Sequence, residues 1–333
     1  MNLNNVKNIK LRGQNVLSVK YNGQVIWRKQ AESSPLTILA EIYLTNSSYR
    51  LFGDNTKYNT LERIEHVYID DIEVPIQETY SRSTIGSETA GKHNLKVVLK
   101  KQDVYDLSYL FYTHHYALIT GLDSGTYKGF EILPNINGEK YKVSNLRYAF
   151  STAATSANVY FSEIKGLENF DVNECTDFYG CFRHTLTNKI DISSWDIDVT
   201  CTYFFATGAT YNPHLETVYI GNFNRDQNTV FTNQKKLTNL EIKSFTQNWN
   251  AGTNPLSKES VWNVVNAAKG TGKYTITFSD ISRGCFTDEE WEELLSKVPS
   301  NYTVVVQENT ASASLLNDDF GMPNDYKYIS DEI

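Results

Sequence analysis

Two of the chain's four cysteines stand six residues apart in CTDFYGCF, residues 175–182, with three aromatic rings among them. Thiolates at short spacing suit zinc or a disulfide, but a zinc site takes a second Cys or His pair at finger spacing, and none follows C-x₅-C here. Cys175 and Cys181 are therefore expected in a core, where a free thiol acts as a small hydrophobe, and Cys285 in RGCFTD is expected buried ahead of a helix. His114 and His115 are adjacent, so on an extended chain they point in opposite directions and are handicapped as joint metal ligands; they read as surface or turn residues. Asp70-Asp71 and the alternating Asp196 and Asp198 of WDID carry the carboxylate pairs of a glycosidase or a calcium site. The Asp after Trp195 reads instead as a turn former that hydrogen-bonds its own backbone. No G-x-S-x-G elbow or H-E-x-x-H occurs, and TGLDSG and KGTGK lack the strand-loop-helix setting of a phosphate loop. The sequence thus predicts no catalytic residue, no metal site and no cofactor: a protein that is not an enzyme.

Binding chemistry is the remaining class. Tyr160, Tyr203, Tyr211 and Tyr219 would give rigid amphipathic contact area if exposed, and would be half-buried strand residues otherwise. A net charge of -8 and a pI near 5.4, with no long basic run, work against nucleic acid and anionic membranes. No run of about 20 apolar residues spans a bilayer, and MNLNNVKNIKLRG lacks the apolar stretch of a signal peptide. The expectation is a chain that neither inserts in a membrane nor leaves the cell by the usual export route. Four cysteines in 333 residues are too few for a disulfide scaffold and fit a reducing place of synthesis.

The elements that would carry such a surface are mostly strands. Residues 1–30 alternate in period two, with Asn22-Gly23 as a two-residue hairpin turn. Two or three strands alone are marginal in water, so Ile9, Leu11, Val19, Ile26 and Trp27 are expected to dock on another surface. Strand-like TILAEIYLT and HVYIDDIEVPI mark a β domain over 36–92.

From there the chain repeats itself. Val104–Phe111, Val143–Phe150, Cys175–Phe182 and Asp198–Phe205 are eight-residue blocks that end in Phe, with Leu107, Leu146, Phe178 and Cys201 at the fourth place. A second pattern, L-x-x-L-x-I-x-x-F, runs through Leu215–Phe223 and Leu237–Phe245; the equivalent Ile192, Ile220 and Ile242 lie 28 and 22 residues apart, a leucine-rich-repeat period. One such unit cannot bury its apolar strip alone, so residues 93–250 are expected to stack into a solenoid with Phe111, Phe150, Phe182, Phe205 and the three isoleucines as its core. The terminal Phe residues are spaced 39, 32 and 23 apart, so TGLDSGTYKG and STAATSANVY read as insertions, loops on one flank. Residues 251–308 read helix-strand-helix-strand, a capping unit, with Ser257 as N-cap and Thr287 opening a capping box. Residues 309–333 are polar and acidic, the composition of a disordered or partner-ordered tail. The predicted fold class is α+β and strand-rich: an N-terminal β module, a leucine-rich-repeat solenoid and a C-terminal α/β cap.

SSWDIDVTCTYFF and CTDFYGCF resemble the BspA-like leucine-rich-repeat family, and LSKESVWNVVNAAKGTGKYTITF with FTDEEWEELLSKVPSNYTVVV is similar to the segment closing such arrays in phage tail proteins. NVKNIKLRGQNVLSVKYNGQVIW resembles a module opening structural proteins of Bacteroides-type phages. The resemblance implies a virion protein assembled in the host cytoplasm: a tail fibre or adhesin, attached to other virion proteins by its N-terminus and presenting its repeats to a host glycan or protein. It also implies a homo-oligomer, although no coiled-coil heptads are present. A capsid decoration or head fibre, and a bacterial surface adhesin, are the alternatives.

Overall fold

The period-two patterning becomes sheet: the computed structural model is a strand-rich α+β protein with few helices among its described residues. It describes residues 33–44, 52, 59–75, 91–112, 126–151, 164–182, 187–198, 215–224 and 234–308, together with strand residues within 9–28 and 77–84. In the N-terminal segment β1 (Ile9–Leu11) pairs antiparallel with β2 (Gln14–Val16), and β3 (Ser18–Tyr21) with β4 (Gln24–Arg28). Tyr21 faces Gln24, so two residues, Asn22 and Gly23, separate the paired strands as expected for a hairpin. Ile9, Leu11, Val19, Ile26 and Trp27 all fall on these strands; the surroundings of their side chains lie outside the described residues.

The next strands are β5 (Thr37–Leu44), β6 (Ile64–Ile69), β7 (Ile72–Glu73), the hairpin of β8 (Gln77–Thr79) and β9 (Arg82–Thr84), and β10 (Gly91–Leu99). Beyond them come β11 (Tyr105–Asp106), β12 (Thr126–Ile132), β13 (Tyr141–Asn145), β14 (Ile164–Lys165) and β15 (Phe170–Asp171). Six of these form one sheet in the order β14-β12-β5-β10-β6-β7. The expected boundary at residue 93 therefore falls inside β10, whose alternating Leu95, Val97 and Leu99 make it a central strand, and part of the TGLDSGTYKG insertion is strand β12 rather than loop. Ile38, Ile42, Val67, Leu95 and Val97 share a buried face, continuous with Phe52, Phe111 and Phe130.

Three of the eight-residue blocks stack in register. Leu107, Tyr109 and Phe111 donate their amides to the carbonyls of Asn145, Arg147 and Ala149 at 2.9, 2.8 and 3.2 Å. Leu146, Tyr148 and Phe150 repeat the set onto Asp177, Tyr179 and Cys181 at 2.8, 3.0 and 3.0 Å. The third position makes the turn: Asp106, Asn145 and Asp177 each accept, through Oδ1, the amide two residues on, at 2.8, 2.9 and 2.8 Å. The sixth is left-handed, with φ of 57° at Tyr109, 52° at Tyr148 and 60° at Gly180. Glycine carries a second duty at 180, where a Cβ would sit 2.5 Å from the Tyr148 ring. Position eight closes the core: the Phe111 and Phe150 centroids are 6.2 Å apart, and Phe150 and Phe182 are 5.9 Å apart with rings 11° from parallel. The fourth block lies outside the described residues after Asp198, and Phe205 with it.

The second pattern is a parallel sheet of β16 (Lys189–Ile197), β17 (Thr217–Phe223) and β18 (Asn239–Phe245). Ile192, Ile220 and Ile242 occupy one transverse row, and Phe223 pairs with Phe245. The C-terminal strands β19 (Trp249–Ala251), β20 (Tyr274–Ser279) and β21 (Tyr302–Gln307) form another parallel sheet.

Two exposed backbone edges of these sheets are satisfied by side chains. On the helix Lys258–Ala267, Ser260 Oγ accepts the Leu240 amide at 2.8 Å and Asn263 Oδ1 accepts that of Ile242 at 2.7 Å, covering the outer edge of β18. The expected capping box forms on the helix Asp288–Lys297 between Thr287 and Glu290. At the edge of the first block Arg63 donates to the carbonyls of Asp106 and Ser108 at 2.9 and 2.8 Å. Those are the third- and fifth-position carbonyls, which in the next block accept Leu107 and Tyr109 amides. Arg63 thus imitates the preceding block that the first one lacks; burial pulls its pKa below the ordinary guanidinium value while Asp106 opposes the shift.

Candidate recognition site

The chemistry-bearing residues sort by where these elements put them. Cys175 and Cys181 are buried, at the first and seventh positions of the third block. Burial pushes the Cys175 thiol up to about 12, which leaves it neutral and unreactive at physiological pH. Cys285 corrects the expectation of burial: it is exposed, in the turn that follows the short helix Asp280–Arg283 and its C-cap Gly284. Iodoacetamide at pH 8 is therefore expected to label Cys285 in the native chain and to reach Cys175 and Cys181 only after unfolding, as peptide mass spectrometry would read. Cys201, His114 and His115 lie outside the described residues. Among the described residues no three His, Cys, Asp or Glu side chains gather in a metal-holding group, and no helix is long and apolar enough to cross a membrane.

The acidic pairs resolve into backbone roles. Asp70 and Asp71 are the two left-handed residues, φ 48° and 65°, of the turn joining β6 and β7. Asp70 also accepts the Asn94 amide at 2.9 Å and meets His93 Nδ1 at 2.7 Å, contacts that together hold its carboxyl below the usual range. Asp196, expected to form a turn, instead sits on β16 opposite Asn222; the turn former is Asp191, which accepts the amide and hydroxyl of Ser193 at 3.1 and 2.7 Å. The β16–β17 register shifts between Ile192 and Asp196, and within that stretch Trp195 is locked inward, its indole donating to the Leu167 carbonyl at 2.8 Å.

What the blocks do bring together is an aromatic row with a cation in it. The fifth and sixth positions lie on the turn, so Tyr109, Arg147, Tyr148 and Tyr179 come from successive blocks onto one edge. Ring centroids are 5.2 Å apart for Tyr109 and Tyr148, and 5.3 Å for Tyr148 and Tyr179. Tyr112 adds a fourth ring 5.0 Å from Tyr148. The Arg147 guanidinium lies 4.4 Å above the Tyr179 ring, donates through Nε to the Tyr109 hydroxyl at 2.9 Å, and bonds Asp177 at 3.1 Å. Burial opposes the charge of Arg147, but the Tyr109 hydroxyl and Asp177 carboxylate more than offset it and raise its pKa. Tyr112 and Tyr148 are buried, whereas Tyr109, Arg147 and Tyr179 are half-buried and offer their outer surfaces.

None of these tyrosines is among the four that sequence reading singles out. Tyr160, Tyr203 and Tyr211 lie outside the described residues, and Tyr219 is a half-buried strand residue with Lys189 4.9 Å above its ring. The signal was present in the aligned blocks, where the fifth and sixth places read Ser-Tyr, Arg-Tyr and Tyr-Gly. Two adjoining hollows of about 540 and 730 Å³ share Glu131 and Lys165 beside the six-stranded sheet. Both residues are exposed charged side chains, whereas the tyrosine row is held by packing on several sides. The row is therefore the better candidate for recognition. No protein family, curated protein or solved structure matches this chain.

Proposed function

We propose that the chain is a non-enzymatic structural protein of a bacteriophage particle, a tail-fibre or adhesin-type component. Its N-terminal strands dock onto other virion proteins, and a leucine-rich-repeat solenoid formed by its blocks meets the host surface. The observation that carries this reading is the in-register stacking of Val104–Phe111, Val143–Phe150 and Cys175–Phe182, each with the same turn and the same hydrogen bonds. Such a stack repeats one side-chain position at a strand spacing of about 4.8 Å. A row of binding residues built that way is ordered before the ligand arrives, which removes much of the entropy cost of recognition. The resemblance of the blocks and of the N-terminal hairpins to phage repeat proteins supports the same reading, and so do the two N-terminal hairpins, which have few strands of their own to pack on.

The test is location. Antibodies raised against the full chain should, by immunogold electron microscopy, mark the tail or its fibres in purified particles. Gold on the head alone would overturn the tail assignment in favour of capsid decoration. Gold on the bacterial envelope and on no particle would overturn the virion reading altogether.

A further inference from the structure

β21 is the last strand of its sheet, and among the described residues it pairs with β20 alone. The Tyr274 amide donates to the Asn301 carbonyl at 3.0 Å, while Tyr274 itself stands opposite Tyr302. Backbone groups alternate in direction along a strand, so the odd-numbered residues of β21 bond β20, and the amides and carbonyls of Val304 and Val306 face outward. Among the described residues no hydrogen bond reaches those four groups, in contrast to the outer edge of β18, which Ser260 and Asn263 cover.

The core is open at the same place. Ala251, Phe278 and Val306 form one inward row, in which the first two side chains are buried and Val306 is 38 % exposed. The neighbouring row of Trp249, Ile276 and Val304 also ends half-buried. Val305, on the opposite face, is 43 % exposed, and Ile281 stands exposed on the helix that follows Ser279, the residue opposite Gln307. Val305, Val306 and Ile281 are three of the five large apolar side chains exposed among the described residues, so apolar surface is concentrated here. Folded proteins blunt an edge strand with lysine, proline, an inward charge or a bulge. YTVVVQ carries no charge and no proline, and its pairing with β20 has no register shift.

The edge fits a second copy of itself. About a two-fold axis through Val305, antiparallel pairing sets Val304 against Val306 of the second copy, Thr303 against its Gln307, and Tyr302 against its Glu308. The outward groups of Val304 and Val306 then bond their counterparts in both directions, about four main-chain hydrogen bonds in all. No two charged residues face each other. The inward rows also run on across the axis, from Ile276 and Val304 into Val306 and Phe278 of the second copy. An unrelated strand would satisfy the backbone equally; valine against valine and neutral against neutral at the facing places favour this chain as its own partner.

Going beyond the reading above, we infer that β21 is a homodimer edge: two copies join antiparallel through Tyr302–Gln307, merging two three-stranded sheets into one with Val305 on the two-fold axis.

Sedimentation velocity of the full chain, over roughly a hundredfold range of concentration, is expected to show a dimer that grows with concentration. Val305→Lys sets two ammonium groups face to face at the axis while leaving each copy a solvent-exposed side chain, and should weaken dimerisation about tenfold or more with an unchanged melt. Val305→Thr, neutral and β-branched, should keep it. In a Cys285→Ser background, Val305→Cys should form a disulfide between copies on mild oxidation, located at position 305 by peptide mass spectrometry, since facing Cα atoms of such a pair lie about 4.5–5.5 Å apart. A monomer at every concentration would overturn the assignment, and so would a trimer, which has no two-fold axis. A dimer that Val305→Lys leaves intact and that Val305→Cys fails to cross-link would place the contact on another face and overturn it too. Oligomeric state and particle location are separate measurements, so this inference can fail while the virion reading stands, and the reverse.

Discussion

Phe150→Ala is expected to destabilise the protein by about 3–5 kcal/mol, the cost of a large cavity in a packed core. The ring is 1 % exposed and lies between those of Phe111 and Phe182, with Phe130 and Phe170 at 5.7 and 6.5 Å. It links the six-stranded sheet, through Phe130, to two neighbouring blocks, so few side chains can move to fill its space. A fall in urea midpoint should be accompanied by faster hydrogen exchange at the Phe111 and Tyr148 amides, which bond to the adjoining blocks. An unchanged midpoint would mean that the blocks do not share a core.

A second large effect is expected at Arg63. Its guanidinium, 12 % exposed, bonds the Asp106 and Ser108 carbonyls and the Asp106 carboxylate. Arg63→Met removes the donors while keeping much of the apolar stem, so it isolates the polar role. Two carbonyls left without those donors cost about 1–3 kcal/mol each, giving about 2–6 kcal/mol in all. Arg63→Lys should recover less than half of that, since one ammonium is a point donor and cannot span two carbonyls as a planar fork does. Equal stability of Arg63→Lys and the parent in urea would show that the first block needs no such imitation of a predecessor.

The strand core was legible because its signals are local and periodic. Period-two alternation marks β5 and β10, Asn22-Gly23 marks a hairpin, and the Phe-terminated blocks announce that they stack. The helices were equally plain, since Ser257 and Thr287 with Glu290 are caps that act within a single turn. Non-local choices were not legible. The six-stranded sheet recruits β12 and β14 from far along the chain, and an alternating strand carries no label for its neighbour. Arg63 was invisible for the same reason: its partners are more than 40 residues away. The tyrosine row fell between these cases. Its residues stand at equivalent places in the blocks, but attention to the apolar fourth and eighth positions passed over the fifth and sixth, which lie on the left-handed turn at Tyr109, Tyr148 and Gly180.

A side-chain-resolution crystal or cryo-electron-microscopy structure of the full chain tests the stacking most directly. The account predicts the rings of Phe111, Phe150 and Phe182 in one column about 6 Å apart, with Arg147 lying over Tyr179 on the turn edge beside it. Blocks found in separate folding units, or joined with their Phe residues out of line, would contradict it.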